Sequence, residues 1–156
     1  MKAESTYTIE RDIEIEAPID VVWRTITEPD QISRWLCDSV DVAVRPGANG
    51  TLTFARDGEA EPLVVNLAVV SVQPPHLLSF RWCHPPRVHA RADNSVLVTF
   101  ILAALGTERT KLVVKETGLE DVDWPDDEKK AYVVSHTEGW QSRGDSLRGL
   151  FLPTQK

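Results

Sequence analysis

Apolar and polar residues alternate with a two-residue period over most of this chain. Ile9, Ile13 and Ile15 are interleaved with Arg11, Asp12, Glu14 and Glu16, the pattern of a strand with one wet face. Pro18 then stands at a first helical position, where its missing N–H is no loss, and Asp20 places negative charge in the first turn. A short helix is predicted from Pro18 to about Thr27, with Val22 and Ile26 on one face and Trp23 beside them. Glu28, Pro29 and Asp30 end it and begin a second short helix that closes near Trp35 to Asp38.

From Val40 to Glu116 strand follows strand. Val40, Val42 and Val44 alternate before a turn at Pro46, Gly47, Asn49 and Gly50. Thr51 to Arg56 runs into Asp57 and Gly58, and Leu63 to Val72 ends at Pro74 and Pro75. Leu77 to Cys83, Val96 to Leu105 and Lys111 to Thr117 complete about seven strands, with Arg87 to Asn94 as the longest polar interruption, a predicted loop. Hairpin-length turns require antiparallel pairing, because parallel strands need long crossovers.

A stretch rich in acids, Glu116 to Glu128, reads as a solvated surface or one that faces a basic partner protein. Asp123 and Pro125 mark a helix start, and a helical pattern continues to about Phe151. Val133, Thr137, Trp140, Gly144, Leu147 and Phe151 recur at three- and four-residue steps and are expected on one face. Gly139, Gly144 and Gly149 interrupt that helix, each at a cost of roughly 1 kcal/mol relative to alanine in a helix interior. The offset is either room for a bound molecule or a bend, or else close packing on the sheet or a helix that stops before Gly149.

A length of 156 residues fits a single domain, 1–156, large enough to bury a core and an internal pocket. Seventeen Lys and Arg against 24 Asp and Glu give a net charge of −7, which disfavours nucleic acid and anionic membrane as partners. The two cysteines, Cys37 and Cys83, are too few for a disulfide framework and read as reduced thiols. Met1 to Arg11 holds no apolar segment for export, and no later run approaches the roughly 18 apolar residues of a membrane span. A cytoplasmic protein is expected.

The order strand, two short helices, six strands, long helix resembles the helix-grip fold of the START-like superfamily, also called SRPBCC or Bet v-like. Within it the chain is similar to the family named for the activator of heat shock protein 90 ATPase, corresponding to that activator's C-terminal domain. The markers are Ala17, Pro18, Val22 and Trp23, then Glu28, Pro29, Asp30 and Trp35. Gly106 and Thr107 stand before the last strand, Gly118 just after it, and Gly139 and Trp140 on the long helix. The match runs from about Tyr7 to Leu152. The resemblance implies an α+β fold in which a curved antiparallel sheet and the long C-terminal helix enclose a cavity. It also implies a small apolar ligand, lipid- or polyketide-like, with a chaperone or other protein as the alternative partner; edge strands and exposed aromatics leave either a monomer or a homodimer open.

In such a fold, Trp35, Leu52, Phe54, Leu78, Phe80, Trp82, Val98, Phe100, Trp140, Gly144 and Leu147 are expected to line the cavity; ordinary core is the competing reading for each. Polar candidates are fewer. Cys83, His84 and His89 have soft-ligand spacing for zinc, but Pro85 and Pro86 intervene and no fourth ligand is evident, so no metal is expected. His136 and His84 are the candidates for a proton-transfer group in a cyclase- or hydrolase-like enzyme, because imidazole titrates near neutral pH. A helical wheel sets His136 roughly 60° from the Trp140 stripe, which predicts a partly exposed, structural histidine. Ser135 and His136 are adjacent on the helix and point apart, and Gly47, Gly50 and Gly58 belong to hairpin turns rather than a phosphate loop. No cofactor is expected.

Overall fold

A computed structural model describes residues 7–54, 61–83 and 94–151. Seven antiparallel strands form one sheet in the order β1-β7-β6-β5-β4-β3-β2. They are β1 Ile9–Ile15, β2 Ser39–Asp41, β3 Asn49–Phe54, β4 Leu63–Gln73, β5 Leu77–Cys83, β6 Ser95–Gly106 and β7 Arg109–Thr117. Helices α1 (Ile19–Thr27) and α2 (Pro29–Ile32) connect β1 to β2, and α3 (Asp126–Gly149) follows a short 3-10 turn at Leu119–Asp121. This is the helix-grip architecture that the order of elements predicts.

The two-residue period decides which side of each strand is wet. On β1, Ile9, Ile13 and Ile15 are buried while Glu10, Asp12 and Glu14 face out toward basic residues of β7. Lys115 reaches Glu10 at 3.4 Å, Lys111 reaches Asp12 at 3.4 Å, and Arg109 bridges Glu14 and Glu16. These pairs are solvent-exposed and contribute little stability, but they favour this register over one that opposes like charges. The inner face of the sheet carries Ile15, Leu112, Val114, Val98, Phe100, Leu78, Phe80 and Val65, all buried.

The markers at the start of the chain have structural reasons. α1 leaves its last carbonyls without intrahelical partners; the buried Trp35 indole N–H donates to one of them, Thr25 O, at 3.0 Å and clamps the α2 segment onto α1. Thr110 donates to Ala17 O at 2.8 Å from a fully buried position, tying the start of β7 to the turn between β1 and α1. Gly118 takes φ +90°, a left-handed conformation that glycine adopts without penalty, where β7 turns toward α3.

Several boundaries and faces differ from the sequence reading. The alternation of Val40, Val42 and Val44 does not extend β2 past Asp41; the chain turns after it, and Gly47 and Ala48 then bond to Val69, continuing the β3–β4 ladder at its start. α2 is a single turn, and α3 ends at Gly149 rather than at Phe151. Thr137 is exposed and Val133 only half-buried; the buried face of α3 is Lys129, Tyr132, Trp140, Gly144 and Leu147. Glu116, read with the acidic stretch as solvated surface, is 1% exposed. It continues the inward phase of Thr110, Leu112 and Val114 along β7, so the strand period turns its side chain into the core.

Candidate functional site

The interior between α3 and the sheet is built around the Glu116 carboxylate. Tyr132, His136 and Trp140 stand four residues apart on α3 and so share a face, and all three reach that carboxylate. The Tyr132 hydroxyl donates to Oε2 at 2.6 Å; His136 Nδ1 lies 2.8 Å from Oε1, which also accepts from the Trp140 indole N–H. Trp82 on β5 donates its own indole N–H to the Tyr132 oxygen at 3.1 Å. A buried carboxylate is costly unless its lone pairs are met, and here three donors meet them. Tyr132 is held well above the ordinary range of a phenol, first by burial and then by the adjacent Glu116 charge.

An ionised carboxylate only accepts hydrogens, so Nδ1 is the ring nitrogen that donates to it. The ring is held from three sides. Tyr132 stacks on it at 3.7 Å between centroids and 16°, Trp82 meets it edge-on at 5.7 Å, and its side chain remains 22% exposed. The sequence expectation of a partly exposed histidine agrees with that figure, while its bond to a buried acid was not foreseen.

Aromatic rings fill the centre. Trp82 and Trp140 stack 5.7 Å apart, Phe100 meets Trp140, Phe80 and Trp35 at 5.7–6.0 Å, and Phe80 meets Trp82 at 5.7 Å. Open space lies to the sides of this cluster. A gap of about 270 Å³ separates α3 from the β3–β4 end of the sheet. Phe54, Leu63, Val65, Trp82 and Trp140 form its apolar walls, and Ser135, His136 and Arg143 its polar boundary. Gly139 borders it too, with nothing within 4 Å of the position a Cβ would take. Arg143 extends over the Phe54 ring at 5.8 Å. On the other side of His136 a more open groove of about 350 Å³ runs past Tyr132, Ala131, Glu128 and Trp124.

The residues expected to line one cavity divide among different surroundings. Phe54, Trp82 and Trp140 border the 270 Å³ gap. Leu52, Leu78, Phe80 and Phe100 border a wholly apolar void of about 30 Å³ beneath Ile26, Ile32 and Leu36. Trp35, Val98 and Leu147 are buried within the packing. Gly144 faces β1, where a Cβ would stand 2.8 Å from Ile13 Cδ1. His84 and His89, and the Cys83 side chain, lie outside the described residues. Among the described residues no group of three or more His, Cys, Asp or Glu is placed to hold a metal. Cys37 is a free, buried thiol whose pKa is pushed up to about 11 by burial and then by Asp38, so it is protonated at neutral pH.

Three polar participants, Glu116, Tyr132 and Arg143, escaped the sequence reading, as did the walls Leu63 and Val65. Strand phase with Leu112 and Val114 would have found the first, and four-residue spacing from His136 the second.

The family model for Activator of Hsp90 ATPase homolog 1-like proteins matches residues 16–151, nearly all of the described fold. The chain belongs to that family. None of the curated proteins matches it. Among solved structures, protein MLL2253 from Mesorhizobium loti superposes with a TM-score of 0.71 at 24% identity, over 92% of this chain and 95% of that one. DynU16, from the dynemicin biosynthetic locus, has a TM-score of 0.70 at 22% identity over 93% of this chain, which spans about half, 47%, of DynU16. The Aha1 dimer from Colwellia psychrerythraea has a TM-score of 0.63 at 14% identity, over 90% of this chain and 96% of that one. At these identities the likeness is one of fold, and a shared ligand does not follow from it. No helix among the described residues is long and apolar enough to cross a membrane.

Proposed function

We propose that this family member binds a small, largely apolar molecule in the gap between α3 and the β3–β4 end of the sheet. One observation carries the reading: about 270 Å³ of space is walled by Phe54, Leu63, Val65, Trp82 and Trp140, with its few polar groups gathered on α3. That is the usual composition of a small-molecule site, in which apolar walls supply affinity and a few polar groups set orientation. Its volume lies near the lower end for such sites, so the occupant is compact. The Glu116 network supports the reading from behind, since it fixes the rotamers of Trp140 and His136 and presents a preformed wall.

Native mass spectrometry of freshly purified protein tests this. A reproducible excess mass, released on denaturation, is expected and gives the size of the occupant. A clean apo mass that persists after incubation with a lipid and metabolite extract would count against a carrier.

A further inference from the structure

We infer that the molecule taken up in this gap is an apolar anion, such as a small aromatic or alicyclic acid, with its charged end at Arg143. The inference rests on the binding reading above and specifies the ligand's chemistry. The gap is bordered by two ionisable side chains, Arg143 and His136, and neither is acidic. In a chain of net charge −7 that is a local reversal of sign.

Arg143 is half-buried, and among the described residues no carboxylate stands within ion-pairing distance of it; its guanidinium lies over the Phe54 ring instead. A guanidinium presents a fork of donors matched to carboxylate or sulfonate oxygens, and partial exclusion of water strengthens such a pair. His136, held from behind by Glu116 through Nδ1, borders the same gap. Glu116 is itself buried behind the ring rather than among the groups that border the gap, so it does not repel the ligand's charge at close range.

Two fluorescent probes with one skeleton separate the possibilities: anilinonaphthalene sulfonate, an aromatic anion, and N-phenylnaphthylamine, the same rings without the sulfonate. Each is titrated into the folded wild-type protein and into Arg143→Gln, Arg143→Lys and Gly139→Leu, with cooperative unfolding of every variant checked first. The sulfonate should bind at least about tenfold more tightly than the neutral amine, the increment of one partly desolvated charge pair. Arg143→Gln should remove most of that difference by weakening the sulfonate far more than the amine, Arg143→Lys should restore part of it, and Gly139→Leu should weaken both probes by filling the gap.

Equal affinities for the two probes, or a sulfonate affinity indifferent to Arg143→Gln, would overturn the anion inference while leaving the pocket in place. If neither probe binds, or both bind Gly139→Leu as tightly as wild type, the pocket reading fails and the anion inference fails with it.

Discussion

On its β1 flank α3 approaches so closely that a Cβ on Gly144 would stand 2.8 Å from Ile13 Cδ1, whereas around Gly139, five residues earlier, nothing lies within 4 Å of the equivalent position. On the first flank the helix rests in aliphatic contact, with Ile13, Ile15 and Leu147 all buried, and a groove of about 540 Å³ edged by Arg11, Asp12, Glu14, Asp145 and Arg148 runs outside that contact. The second opens onto the gap that Phe54, Leu63 and Val65 wall from the sheet. One helix therefore does two jobs with the same residue type. Gly144 lets it sit down on the sheet edge, and that seating leaves space over β3 and β4. Between the flanks, the Glu116 network holds the helix at a fixed height by hydrogen bonds rather than by filling volume.

The strongest way to break this contrast is to remove the hub. Glu116→Ala deletes the acceptor of three side-chain donors, two of them buried, and strands those donors in the core. Unmet buried donors cost about 1–3 kcal/mol each, so a loss of about 3 kcal/mol or more is expected by urea denaturation. A loss below about 1 kcal/mol would mean that packing alone seats the helix.

A smaller effect follows from Tyr132, whose phenol is raised above its ordinary range in the fold by burial and by Glu116. A raised folded pKa gives stability that is complete below the unfolded value and lost as pH rises past it. The unfolding free energy should therefore decline above about pH 10, by up to about 1.4 kcal/mol per pH unit from this group. Tyr132→Phe should flatten that alkaline decline, at the expense of the hydrogen bond to Glu116. An identical alkaline slope in the variant would remove Tyr132 from the account.

The smallest effects are the sharpest comparison. Gly139→Ala gains helix propensity with no steric cost and should stabilise by up to about 1 kcal/mol. Gly144→Ala gains the same propensity but drives a methyl against the end of the Ile13 side chain, which must shift, so it should gain less than Gly139→Ala by up to about 1 kcal/mol. Thermal or urea unfolding of the two variants should show that difference; equal gains would show that the helix is not in tight contact with β1 at Gly144.

Much of this architecture was legible in the residues. The seven strands and the long helix follow from periods of two and about 3.6, and Pro18, Glu28–Pro29–Asp30 and Pro125 punctuate them where the structure does. The pocket was less legible. Glu116 was misjudged because a charged residue beside Glu120 and Asp121 looks like surface, although Thr110, Leu112 and Val114 already set its inward phase. Trp35, Val98 and Leu147 face inward as their periods require, yet period says only which side a residue faces, not whether the space there is filled by neighbouring rings. The division of Gly139 from Gly144 depends on how far the helix stands from each strand. That is a tertiary distance, set jointly by Ile13, the Glu116 bonds and the aromatic cluster, and no local pattern encodes it.

The most direct test of the open flank reads the indole N–H resonances of the five tryptophans while anilinonaphthalene sulfonate is added to the labelled protein. Trp82 and Trp140 line the gap, whereas Trp23 lies on α1 outside it. The account predicts saturable shifts at Trp82 and Trp140 with Trp23 unmoved. Saturable shifts confined to Trp23, or none at Trp82 and Trp140 while the probe is bound, would contradict it.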